Sequence, residues 1–118
     1  MFLTLNHQHL DVYKASKTLL VESYKLSRAL PDYEKFAMAS QIRRAALSNM
    51  LNLAEGSSRK SVIERKRYFE IARGSVIEID AALDAANELQ YLDKYEINRM
   101  GNSIQDSFKL ITGLINAK

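Results

Sequence analysis

Eight basic side chains fall between residues 43 and 73: Arg43, Arg44, Arg59, Lys60, Arg65, Lys66, Arg67 and Arg73. Only Glu55, Glu64 and Glu70 oppose them, so this segment carries +5 and the rest of the chain −2. Phosphate is the chemistry that such a cluster suits, because grouped cations displace the counterions condensed on a polyanion. Assembly is a second use. From Gly74 to Asp93 the charges are all acids (Glu78, Asp80, Asp84, Glu88, Asp93), so the basic part of one subunit can meet the acidic part of a neighbour in a head-to-tail ring. A solvated surface laced with ion pairs is the third. Charge alone leaves all three open.

Other reactive side chains lack companions. His7 and His9 form an H-x-H pair with no third ligand nearby, which is a poor metal site. Glu55 and Glu64 have no His or nucleophile motif beside them. Ser57, Ser58 and Ser61 stand in no G-x-S-x-G context. Arg73-Gly74-Ser75 lacks the glycine spacing and preceding strand of a phosphate loop. Tyr13, Tyr24, Tyr68 and Tyr91 can stack on bases, although helical tyrosines often sit at a core edge with the hydroxyl in water. With no cysteine in the chain, thiol chemistry and Cys-ligated metals are excluded. The expectation is a protein without catalytic residues, metal or cofactor, and not an enzyme.

The elements that position these groups are helical. The chain has 118 residues, 47% of them apolar and 26% charged, with one proline and four glycines. That suits one domain spanning 1–118, with a core of its own, and leaves little turn chemistry for a many-stranded sheet. Breaks at Pro31, at Gly56-Ser57-Ser58 and at Tyr91–Lys94 predict helices over 9–29, 33–55, 61–91 and 93–116. The first stripe is Val12, Ala15, Leu19, Ser23, Leu26 and Leu30. The second is Met38, Ile42, Ala45, Asn49 and Leu53, with Ala46 beside it. Phe69, Ala72, Val76, Ile79, Leu83 and Ala86 form the third, and Ile97, Met100, Ile104, Phe108, Ile111 and Ile115 the fourth. Steps of three and four put each set on one helical face. Short links between long helices then predict an all-α, antiparallel, up-down-up-down four-helix bundle. Gly56 is expected to stop the second helix in a left-handed conformation, Ser61 to cap the third in a capping box with Glu64, and Gly74 to let a neighbouring helix approach closely. Asn49, on a core-facing stripe, requires a buried partner. The N-terminus has neither a basic region nor an apolar run fit for a signal peptide, and no run of 18 apolar residues occurs. The expected compartment is the cytoplasm, with no membrane partner.

The second helix shows a further apolar set. At about 100° per residue, Leu47 and Leu51 fall far from Ile42, Ala46 and Leu53, and Phe36 falls near them. Scattered surface leucines are ordinary, but three apolar residues in register predict a contact with another copy.

The run Gln41-Ile42-Arg43-Arg44-Ala45-Ala46, then Ser48, Asn52-Leu53-Ala54-Glu55-Gly56 and Arg59, resembles the signature of the four-helix-bundle family encoded in intervening sequences of bacterial 23S ribosomal RNA genes. A second block matches too: Phe69, Ile71-Ala72-Arg73-Gly74-Ser75, Glu78, Ala86 and Leu89-x-Tyr91-Leu92. Asn49 departs from the pattern, which usually has an apolar residue or proline in that slot. The resemblance runs from Leu10 to Leu114. It implies an antiparallel bundle assembled into a ring, commonly a homopentamer, with no established catalytic activity. A related accessory protein of diversity-generating retroelements forms a positively charged pentameric barrel that binds nucleic acid.

Within that motif Arg43 and Arg44 point about 100° apart, so they serve different surfaces. Glu55, near a negative helix end, calls for a cation such as Arg59 or Arg44. Gln41, Arg43, Asn52, Glu55, Gly56 and Gly74 are read as structural, and Arg44, Arg59, Lys60, Arg65, Lys66 and Arg67 as the candidate contacts to RNA or DNA. The alternative is a protein-interaction scaffold that touches no nucleic acid.

Overall fold

The structure, a computed structural model, describes residues 1–117; the His9 side chain and Lys118 lie outside the described residues, so the H-x-H pair is seen only in part. Four helices carry the fold: α1 (Asp11–Ala29), α2 (Met38–Ser57), α3 (Val62–Glu88) and α4 (Asn98–Asn116), with single 3₁₀ turns at Asn6–His9 and Asp32–Glu34. The described residues contain no strand.

Each helix packs on two others. α1 lies against α2 and α4, and α3 lies against the same two; among the described residues the backbones of the diagonal pairs stay apart. This is the cross-section of a four-helix bundle, drawn out to 44 × 30 × 22 Å. Along the α2–α3 seam the partners descend on one helix as they ascend on the other: Gly56 meets Phe69, Asn49 meets Ala72, Ser48 meets Ser75 and Gln41 meets Glu78. That seam is antiparallel. The α3–α4 pair behaves likewise, with Arg73 beside Thr112 and Val76 and Asp80 beside Ile104. Among the described residues no helix is long and apolar enough to cross a membrane.

The helical periodicity reads the core well. Leu19, Leu26, Ile42, Leu53, Ile79, Met100 and Ile111 are completely enclosed, each contributing roughly 1.5–3 kcal/mol of burial energy. Asn49 is equally enclosed and donates its Nδ2–H to the Ala72 carbonyl at 3.0 Å. Its amide thus pins α2 to α3, while its Oδ1 has no protein partner. Phe108 departs from the expected stripe. The buried line of α4 passes through Ser103, Ile104, Ser107 and Ile111, and Phe108 is exposed beneath the Arg73 guanidinium, 5.7 Å from its ring centroid.

Several boundaries differ from expectation. α2 starts at Met38 rather than near 33, because the residues after Pro31 close a 3₁₀ turn: Glu34 donates to Pro31 and Lys35 to Asp32. Ala37 then leaves helical geometry. α4 starts at Asn98, since Tyr91, Leu92 and Tyr95 fold onto the core instead of continuing a helix. The Tyr91 hydroxyl donates to Glu34 at 2.9 Å, joining the 30–37 and 89–97 links. Hydrogen bonding with Tyr33 first, and with Glu34 second, raises the Tyr91 pKa above its ordinary value.

Both glycine expectations are corrected. Gly56 lies inside α2, is buried, and has negative φ. The left-handed stop occurs at Gln90 (φ 61°), where the Tyr91 N–H reaches back to the Ala86 carbonyl and ends α3. Gly56 instead permits contact: a Cβ there would stand 2.8 Å from Tyr68 Cβ and 2.9 Å from Phe69 Cε1. Gly74 shows the opposite. Nothing lies within 4 Å of its would-be Cβ, so no helix of its own chain approaches it.

The two glycines therefore respond with opposite signs. Gly56→Ala forces α2 and α3 apart and is expected to cost about 1–3 kcal/mol. Gly74→Ala removes a flexible residue from a helix interior and is expected to gain up to about 1 kcal/mol. Urea melts of the two variants beside the parent chain check both.

Candidate nucleic-acid interface

The basic cluster gathers where α2 ends and α3 begins. Ser57 Oγ donates to the Leu53 carbonyl and Ser58 Oγ to the Glu55 carbonyl, which ties off the last turn of α2. Ser61 caps α3, its Oγ accepting from the Glu64 N–H at 3.3 Å. The reversal is therefore made by serines, and the cations are hung on it.

Those cations divide into two kinds. Arg65 points back over the link and donates from Nη1 to the carbonyls of Arg59 and Lys60, both at 2.9 Å. Arg59 is held on two sides: it pairs with Glu55 at 3.3 Å, donates to the Tyr68 hydroxyl at 3.0 Å and lies over the Tyr68 ring at 5.0 Å. Its Nε is shut from solvent without a partner. Lys60, Lys66 and Arg67 have no ion pair among the described residues. Lys60 and Arg67 are exposed and Lys66 is half-buried. Arg65 is thus chiefly a brace, Arg59 a fixed and partly open guanidinium, and the other three are unneutralised charge.

Arg44 is not brought to this corner. It sits well back along α2, in a separate groove lined by Gln41, Ala45, Ser48, Ile71, Gly74, Ser75 and Glu78. Arg43 turns to the other side of α2, donating weakly to Ser27 Oγ and the Lys35 carbonyl. The two arginines do serve different surfaces. Gln41 bridges to Glu78 at 3.4 Å, and Asn52 donates within its own helix to the carbonyl and Oγ of Ser48. Leu47 and Leu51 are exposed at 41% and 56%. Phe36 is 89% exposed but precedes α2, so helical register does not join it to them; Lys35 covers its ring at 5.5 Å.

Beside the free cations lies a cleft of about 260 Å³, walled by Arg59, Glu64, Arg67, Tyr68 and Ile71. Tyr68 was visible in the sequence only as one tyrosine among several. Ile71 stands out in the sequence only as part of the second family block, although its place off the Phe69–Ala72–Val76 stripe marks it as facing outward.

Fold and corner together define an all-α bundle protein with a cationic helix-turn-helix end. Comparison with family models gives the particular group: the model of the 23S rRNA-intervening sequence protein matches residues 8–113, and the chain belongs to that family. No curated protein matches the chain.

The two kinds of cation separate in a stability measurement. Arg65→Met removes a charged donor from two carbonyls and is expected to cost about 1.5–3 kcal/mol. Lys66→Met, with no polar partner to lose, should stay within about 0.5 kcal/mol of the parent. Denaturation midpoints at constant slope distinguish them.

Proposed function

We propose that this protein is a non-enzymatic, ring-forming bundle of the cytoplasm that binds RNA or DNA phosphates through the corner at 59–67. The observation that carries the reading is the set of unneutralised cations, Lys60, Lys66 and Arg67, beside the fixed Arg59 guanidinium. Grouped cations that no acid of the chain neutralises keep their charge available to attract a polyanion. Binding of this kind is weakly sequence-selective and falls steeply with salt. Fluorescence anisotropy with a labelled RNA or DNA at ~50 mM salt should show saturable binding that weakens linearly on a log–log salt plot. The double variant Lys66→Glu, Arg67→Glu should abolish it. Absence of binding at that salt rejects nucleic acid as the partner.

The second reading, an assembly scaffold, is favoured by Leu47 and Leu51, which leave an exposed apolar flank on α2. We place the contact between copies on this flank. Leu47→Asp with Leu51→Asp should then reduce the mass seen by light scattering to 13 kDa without unfolding the chain. If the parent is already a 13 kDa monomer at micromolar concentration, the ring is wrong. If reversing Lys66 and Arg67 breaks the oligomer and leaves nucleic-acid affinity unchanged, the scaffold reading replaces the first.

A further inference from the structure

Neutralising a polyanion calls for cations, yet the cleft beside the free charges contains more. Of its five walls, two are guanidinium side chains, one is a carboxylate, and two are an aromatic ring and a branched aliphatic chain. Ile71 is 45% exposed there. Arg59 is not free to wander: Glu55, the Tyr68 hydroxyl and the Tyr68 ring hold it. Its shielded Nε shows that the guanidinium is partly sunk into the wall. Glu64 sits at the start of α3, and neither its carboxylate nor the Arg67 guanidinium is in an ion pair among the described residues.

We infer that this cleft accepts one unpaired nucleobase, so that the corner prefers single-stranded nucleic acid to a duplex. The inference rests on the nucleic-acid reading above and names the form of ligand that the same corner takes. A base has a flat apolar face and a polar edge. Ile71 offers the face an apolar contact and the Arg59–Tyr68 pair, held by a hydrogen bond and an ion pair, offers a guanidinium and a ring, and stacking on arginine planes and aromatic rings is how unstacked bases are held. Glu64 is an acid in the first turn of α3, where the helix dipole favours it, and its carboxylate is left open on the cleft. It is suited to accept the N–H donors that a base carries on its pairing edge. Arg67, on the rim of the cleft, and the neighbouring Lys66 remain for the flanking phosphates. The cavity lies just below the ~300–1,000 Å³ of pockets that enclose drug-sized ligands, which fits one ring system and not a stacked pair. In a duplex, both the face and the pairing edge are already occupied.

The test compares a short fluorescein-labelled RNA strand lacking self-complementarity with the same strand annealed to its complement, both titrated at ~50 mM salt. Tighter binding of the single strand is expected. Ile71→Ser should weaken single-strand binding about tenfold, the scale of one lost stacking contact, with little change for the duplex. Ile71→Val should retain the parent's preference. Because Ile71 is outside the core, a urea melt of each variant verifies that the fold is kept. Lys66→Gln should instead weaken both forms alike and lower the salt slope by about one. Equal affinity of the parent for the two forms, or equal losses on Ile71→Ser, overturns the base site and leaves the phosphate reading standing. Failure to bind either form overturns both.

Discussion

A tight helix approach is made at Gly56, where the backbone of α2 meets Tyr68 and Phe69 of α3 and a methyl group would stand 2.8 Å from a carbon of Tyr68. Much else follows from that contact. It fixes the register in which Asn49 reaches the Ala72 carbonyl and Ser48 reaches Ser75. It also sets how far α2 continues before the chain reverses, and so delivers Arg59 onto the Tyr68 ring. Interiors at this density do not give way by degrees. A side chain at 56 would therefore move the register and the corner together. The same glycine that lets the core close also aims the Arg59 guanidinium.

The charge order along α3 contradicts its own dipole, with bases early and acids late. The antiparallel seam removes the contradiction. The start of α3 lies beside the end of α2, whose terminal carbonyls are the negative pole, and Arg65 donates directly to the carbonyls that follow it. The later part of α3 lies toward the start of α2, the positive pole, where Gln41 meets Glu78 and Tyr91 meets Glu34. The charges of α3 are thus arranged for its neighbour. This accounts for part of the basic cluster without any ligand and leaves Lys60, Lys66 and Arg67 outside the account.

The helix faces were legible because burial imposes a period that residue types record directly. Eighteen apolar positions end in the core, and nearly all lie on the stripes read from the sequence. The glycines were not legible. A glycine near a helix end suits a left-handed stop or a tight approach equally well, and what decides at Gly56 is an aromatic pair on another helix. At the end of α3 the left-handed residue is Gln90, which costs more than glycine would and has no sequence signature. The Glu55–Arg59 pair was readable from its i, i+4 spacing. The brace made by Arg65 was not, because its acceptors are main-chain carbonyls common to every residue. Nor was the cleft: Tyr68 and Ile71 are i, i+3 neighbours on α3, but Arg59 joins them only through the reversal between α2 and α3.

Three free cations are few. Each phosphate contact adds only about 0.9 to the salt slope on duplex DNA and about 0.7 on a single strand, so one corner alone supports weak binding. Repetition changes this, since a second corner on the same assembly binds at the effective concentration set by the first. The exposed leucines lie roughly 10–15 Å back along α2 from its end, at 1.5 Å per residue, so a seam there leaves the corner open. On the proposed reading, assembly uses α2 while binding uses the α2–α3 link and the start of α3, so the two do not compete. The bundle is long enough to hold them apart, and the reversal over 58–61 places the basic corner at its tip.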